Sequence, residues 1–156
     1  MNHAAQHTTF VIEKELPGST RHAFRFWSEF SFKRKWTSCH PDWTVLEDAF
    51  DFRPGGSEVT RWKMPEGQLF GFRAHYFQIV PAVRIIYAYE MTLGQTTVST
   101  SLATVEFAAR GTITKMTFTE QAAFLDGSDP GARASGTEMG FDRLVAVMQQ
   151  ELSPVH

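Results

Sequence analysis

The spacing of apolar residues changes along this chain, and each change marks a different element. Thr8 to Leu16 (TTFVIEKEL) carries β-branched and apolar residues and ends at the turn pair Pro17-Gly18, which predicts a strand. Ser19 can then cap a helix, because its hydroxyl can accept from an orphan N–H of the first turn. Ala23, Phe24 and Trp27 follow at helical spacing, and Phe32 and Trp36 form an i,i+4 pair that predicts a second short helix over Glu29 to Trp36.

From Trp43 the period shortens. Six segments read as strands: Trp43 to Phe52, Ser57 to Met64, Leu69 to Val80, Val83 to Met91, Thr97 to Ala108 and Thr112 to Phe124. Between them stand Arg53-Pro54-Gly55-Gly56, Pro65-Glu66-Gly67, Pro81, Gly94 and Gly111, each a turn by its Pro or Gly content. Alternation is clearest in Val83, Ile85, Tyr87, Tyr89 and Met91, and suits an antiparallel sheet with one covered face. After a polar loop at Asp126 to Pro130, Ala132 to Leu152 reads as one long helix with Phe141, Leu144, Val145, Met148 and Leu152 on a stripe. Ser153-Pro154 would end it.

The order is β-α-α-β6-α. This is an α+β fold, a seven-stranded antiparallel sheet curved around a long C-terminal helix, with two short helices after the first strand. A helix of about 20 residues spans roughly 30 Å, enough to lie across such a sheet. No repeat or linker interrupts the chain, so residues 8–152 read as a single domain.

The sequence has 156 residues, 42% of them hydrophobic and 21% charged, which is ordinary globular composition. The net charge of −2 argues against a nucleic-acid-binding module, which normally carries a basic excess. No apolar run of about 18 residues is present to span a bilayer, and the N-terminus shows no secretory signal pattern, so a cytoplasmic location is expected. Fourteen Phe and four Trp are the one unusual bias. Such bulk fills a core or lines a cavity, and composition does not separate the two.

Sequence motifs for nucleophilic, nucleotide-binding or zinc chemistry are missing, including GxSxG, HExxH, the Walker A loop and GxGxxG. Cys39-His40 is the one Cys/His pair, too few ligands for zinc, so neither a metal nor a cofactor is expected. The aromatic and apolar positions placed near a cavity between sheet and terminal helix are Trp62, Phe70, Phe72, Tyr76, Tyr87, Tyr89, Phe118, Phe141, Val145 and Met148. Polar candidates are Glu58, which shares a face with Thr60 and Trp62, Glu120, which shares one with Met116 and Phe118, and His75. A carboxyl in such surroundings would have its pKa raised by desolvation and could act as an acid or base. The opposing reading puts each carboxylate at a strand end, where it meets water, and makes His75 a satisfied or solvent-edge residue.

The same turns carry a family likeness. Phe52-Arg53-Pro54-Gly55-Gly56, Pro65-Glu66-Gly67, Ile79-Val80-Pro81-Ala82-Val83-Arg84-Ile85, and Thr119 to Gly127 followed by Gly136-Thr137 resemble the START-like helix-grip (SRPBCC) superfamily. The bacterial branch related to the C-terminal domain of heat-shock-protein-90 ATPase activators is the most similar, over about Phe10 to Leu152. Phe141 stands where that family usually has Trp. The resemblance implies three functions, in this order: binding of a small hydrophobic or amphipathic molecule, a chaperone-partner module, and an enzyme of the cyclase or hydratase type. For the last, no matched catalytic set is present. A homodimer is compatible with each.

Overall fold

Local signals place each element close to where periodicity predicts it, with ends that differ slightly. The computed structural model describes residues 3–152, so the Ser153-Pro154 stop lies outside the described residues. The elements are β1 (Gln6–Pro17), α1 (Thr20–Ser28), α2 (Phe30–Thr37), β2 (Thr44–Phe50), β3 (Ser57–Lys63), β4 (Leu69–Val80), β5 (Arg84–Leu93), β6 (Thr96–Arg110), β7 (Ile113–Phe124) and α3 (Pro130–Leu152).

The seven strands form one antiparallel sheet in the order β1-β7-β6-β5-β4-β3-β2. Five successive hairpins lay down β2 to β7. The first strand then joins the far edge, beside β7, which leaves β2 at the opposite edge. Turn chemistry fixes these corners. Gly55 takes a positive φ of 81°, and a side chain at Gly56 would stand 2.2 Å from the Asp51 carbonyl oxygen. That loop is also tied to β4, since Gly55 N–H donates to the Tyr76 carbonyl at 2.8 Å and Tyr76 N–H donates to the Gly56 carbonyl at 3.0 Å. Arg53 reaches only the exposed Asp51 carboxylate in this loop, so the FRPGG motif serves the fold.

The two short helices are locked to each other. Ser19 Oγ accepts from His22 N–H at 3.1 Å and caps α1. Glu29, extended at φ −102° and ψ 126°, ends α1 and begins α2. The Trp36 indole then donates to the Phe26 carbonyl at 2.9 Å.

Alternation along β7 buries Thr114, Met116, Phe118, Glu120, Ala122 and Phe124, the face that meets the helices. The three helices cover that face. From α3, Phe141, Leu144 and Met148 point into the core; Val145 is half-buried against it and Leu152 is exposed, so the predicted stripe frays at the helix end. Four rings join helices to sheet: Trp27 and Trp36 at 4.9 Å, Phe141 at 6.1 Å from each of them, and Phe118 at 5.0 Å from Phe141.

Candidate functional site

A cavity of about 390 Å³ lies between the inner sheet face and the helices α2 and α3. Its floor exists because odd and even residues of a strand face opposite ways. Thr60 and Trp62 come from β3, Phe70 and Phe72 from β4, Tyr87, Tyr89 and Met91 from β5, Phe118 and Glu120 from β7. Cross-strand neighbours stack along it, Trp62 on Phe70 at 5.0 Å and Phe72 against Tyr89 at 5.1 Å. The helical wall combines Lys33, Arg34, Trp36 and Thr37 of α2 with Arg133, Gly136, Gly140 and Phe141 of α3.

Two buried carboxylates sit in this wall. Glu58 is 2% exposed and fully matched. Its Oε1 accepts from Lys33 Nζ at 2.7 Å and from the Tyr76 hydroxyl at 2.7 Å, and its Oε2 accepts from Arg34 Nη1 at 2.7 Å. Arg34 also grips Asp48 of β2 with Nε, at 3.0 Å from each oxygen, and with Nη2 at 2.6 Å. Burial by itself would push the Glu58 carboxyl up. The charges of Lys33 and Arg34 outweigh it and hold the carboxyl below its ordinary range. Burial pulls the Lys33 ammonium down, against the attraction of Glu58. That ammonium also lies over the Phe50 ring, 5.3 Å from its centroid, and the Trp27 ring, 5.5 Å away.

Glu120 is answered on one side. Its Oε2 accepts from the Tyr89 hydroxyl at 2.7 Å and Ser101 Oγ at 2.8 Å, with Arg133 Nη1 at 3.5 Å. Burial, then the Glu120 charge, push the Tyr89 hydroxyl well above the usual tyrosine range, so it remains a donor. Arg133 is held over β5 and β6 by Ser99 Oγ at 2.8 Å and the Tyr89 hydroxyl at 3.0 Å. Glu120 Oε1 is buried and accepts no hydrogen bond from the described residues; the Trp27 indole N–H is likewise unpartnered.

Among the sequence candidates, Trp62, Phe70, Phe72, Tyr87, Tyr89, Phe118, Phe141, Glu58 and Glu120 come together at the cavity. Both glutamates are buried, so the reading that placed them in water does not hold, although Glu58 is only the second residue of its strand. Tyr76 lies on the inner face but outside the cavity lining, where its hydroxyl holds Glu58. Val145 and Met148 pack into the core below the cavity wall rather than lining it. His75 corrects the expectation most clearly. It is exposed on the outer sheet face, its ring 4.8 Å from the equally exposed Phe77, because one step along a strand reverses the face. The expectation of a raised carboxyl pKa also fails at Glu58, since two cations surround it.

Sequence reasoning missed Lys33, Arg34 and Arg133. The run Phe32-Lys33-Arg34-Lys35-Trp36 reads as the solvated face of a helix. One signal was available: an inward glutamate on a strand needs a cation or a set of donors, since carboxylates are seldom buried unpaired.

The geometry now meets a family. The profile described as "Activator of Hsp90 ATPase homolog 1-like protein" (AHSA1) matches residues 18–151. The chain belongs to the AHSA1-like family. A solved structure of an uncharacterised protein from Rhizobium leguminosarum is 49% identical, covers 94% of this chain and 97% of its own, and superposes with a TM-score of 0.88. The Mll3558 protein of Rhizobium loti is 36% identical over 93% of this chain and 99% of its own, with a TM-score of 0.86. An AHSA1-like protein from Aeromonas hydrophila, 15% identical over 96% of this chain and 99% of its own, shares the fold at a TM-score of 0.67. No curated protein matches the chain. These AHSA1-like relationships agree with the START-like helix-grip resemblance. Among the described residues no helix is long and apolar enough to cross a membrane.

Proposed function

We propose that residues 8–152 form one domain that binds a small apolar or amphipathic molecule between the sheet and α3. The observation that carries this reading is the open cavity itself. At about 390 Å³ it falls within the roughly 300–1,000 Å³ of small-molecule sites, and its aromatic walls with a few placed polar groups match their chemistry. The helical wall favours the same reading. Each glycine inside a helix costs about 0.8–1.0 kcal/mol relative to alanine, and α3 carries Gly136 and Gly140 against the cavity. A Cβ added at Gly136 would meet nothing within 4 Å, so packing does not demand glycine there. Its absence keeps the space open.

Nile red, an uncharged apolar dye, tests this. The parent protein should bind it with a rise in fluorescence. Gly136→Leu should lose that binding while keeping its melting temperature. Absence of dye binding by the parent, together with a melting temperature that falls in Gly136→Leu, would show a filled core.

The family description favours a second reading, a partner module for the Hsp90 ATPase. Pull-down and ATPase assays with purified Hsp90 separate the two, because a pure ligand-binding domain gives neither capture nor stimulation.

A further inference from the structure

Glu120 sits in the middle of β7, is 0% exposed, and lines the cavity. Its two oxygens live in different surroundings. Oε2 is crowded by the Tyr89 hydroxyl, Ser101 Oγ and Arg133 Nη1. Oε1 is as deeply buried and receives no donor from the described residues. A buried acceptor left unpaired is costly, and native proteins pair nearly all such groups. The cavity wall therefore holds a buried carboxylate with one unused oxygen, alongside the unpartnered Trp27 indole N–H.

Resting on the ligand-site reading above, we propose that the ligand is an uncharged apolar molecule bearing a hydroxyl group, whose O–H donates to Glu120 Oε1. Charge excludes the alternatives. Arg133 already balances Glu120, while Lys33 and Arg34 balance Glu58 and Asp48. An ammonium ligand would add an uncompensated charge to this apolar space. A carboxylate ligand would set its own lone pairs against those of Oε1. Arg143 also lines the cavity, but it is exposed, so water screens its charge. A neutral hydroxyl brings a donor without a charge, and O–H to carboxylate bonds are among the short, strong class.

The test uses the full chain and three probes of one shape: para-hydroxybiphenyl, para-methylbiphenyl and para-biphenylcarboxylate, titrated by calorimetry. A hydrogen bond to a charged partner predicts that the hydroxyl probe binds roughly ten- to a hundredfold tighter than the methyl probe. The carboxylate should bind weakest. In Glu120→Gln, Tyr89, Ser101 and Arg133 hold the amide oxygen at the Oε2 position. The NH₂ then takes the place of Oε1, so the probe's O–H loses its charged acceptor, its oxygen can only accept from a neutral donor, and the hydroxyl preference falls to the severalfold level of a neutral hydrogen bond. Equal affinity of the parent for hydroxyl and methyl probes overturns this inference and leaves the ligand site standing. Binding of no probe at all overturns both. A hydroxyl preference that is undiminished in folded Glu120→Gln also overturns it. Should that variant fail to fold, the ranking of the three probes on the parent protein decides alone.

Discussion

Glu58 and Glu120 are both glutamates buried on the inner face of one sheet, and both line the same cavity. Their surroundings differ in kind. Around Glu58, two cations from α2 and a tyrosine from β4 occupy both oxygens, and Arg34 carries the network on to Asp48 at the sheet edge. Around Glu120, neutral hydroxyls and one longer arginine contact gather on a single oxygen. The first arrangement gives each oxygen a donor and joins α2 to β3. The second leaves one oxygen, buried in the cavity wall, without a donor among the described residues. A saturated buried carboxylate belongs to the architecture, and a half-saturated one is available for recognition.

The largest effect should come from breaking the saturated cluster. Lys33→Met leaves Glu58 Oε1 with one neutral donor, and removing one partner of a buried pair costs about 3–5 kcal/mol. Urea denaturation measures this; a loss below that of Arg133→Met would reverse the ranking of the two clusters. Acid should act on the same cluster. The Glu58 carboxyl titrates below its ordinary value of 4.5, because Lys33 and Arg34 outweigh the opposing effect of burial. Its contribution is therefore fully present above that value and is lost as pH falls through the lower folded pKa. Thermal melts between pH 5 and pH 3, both chosen to bracket roughly that window, should show a shallower acid decline in Glu58→Gln than in the parent. An unchanged slope would remove Glu58 as a source of acid sensitivity.

Arg133→Met should cost less, about 1–2 kcal/mol, because Tyr89 and Ser101 continue to satisfy Oε2. Glu120→Gln should change stability by less than about 1 kcal/mol, since the amide oxygen keeps the same donors; calorimetric unfolding checks both. The smallest shift is a gain. Gly136→Ala should stabilise the fold by up to about 1 kcal/mol through helix propensity, with open space for its methyl group. A destabilised Gly136→Ala would mean that α3 needs its glycine for packing, and would weaken the case for an open cavity.

Much of this is legible in the sequence. Period-two alternation put Glu58 with Thr60 and Trp62, and Glu120 with Met116 and Phe118, on one face, and those faces are the inner ones. The cavity floor followed from the same rule. His75 stood one residue away from the inward row of Phe72, Ala74 and Tyr76, and that single step carried it to the outer face. Lys33 and Arg34 escaped because a lysine on a short helix looks the same whether water or a carboxylate lies beyond it.

The chain itself determined the order of elements, the turns between them and the face each strand residue takes, because periodicity and turn conformation are settled by near neighbours. Which partners meet was decided by the tertiary structure. Lys33 and Glu58 stand 25 residues apart, and Arg133 and Tyr89 stand 44 apart, so no local rule relates them. The same holds for the empty valence of Glu120 Oε1 and the space beside Gly136. Each depends on where a helix comes to rest across a sheet, and that is fixed by packing of the whole core rather than by any stretch of sequence.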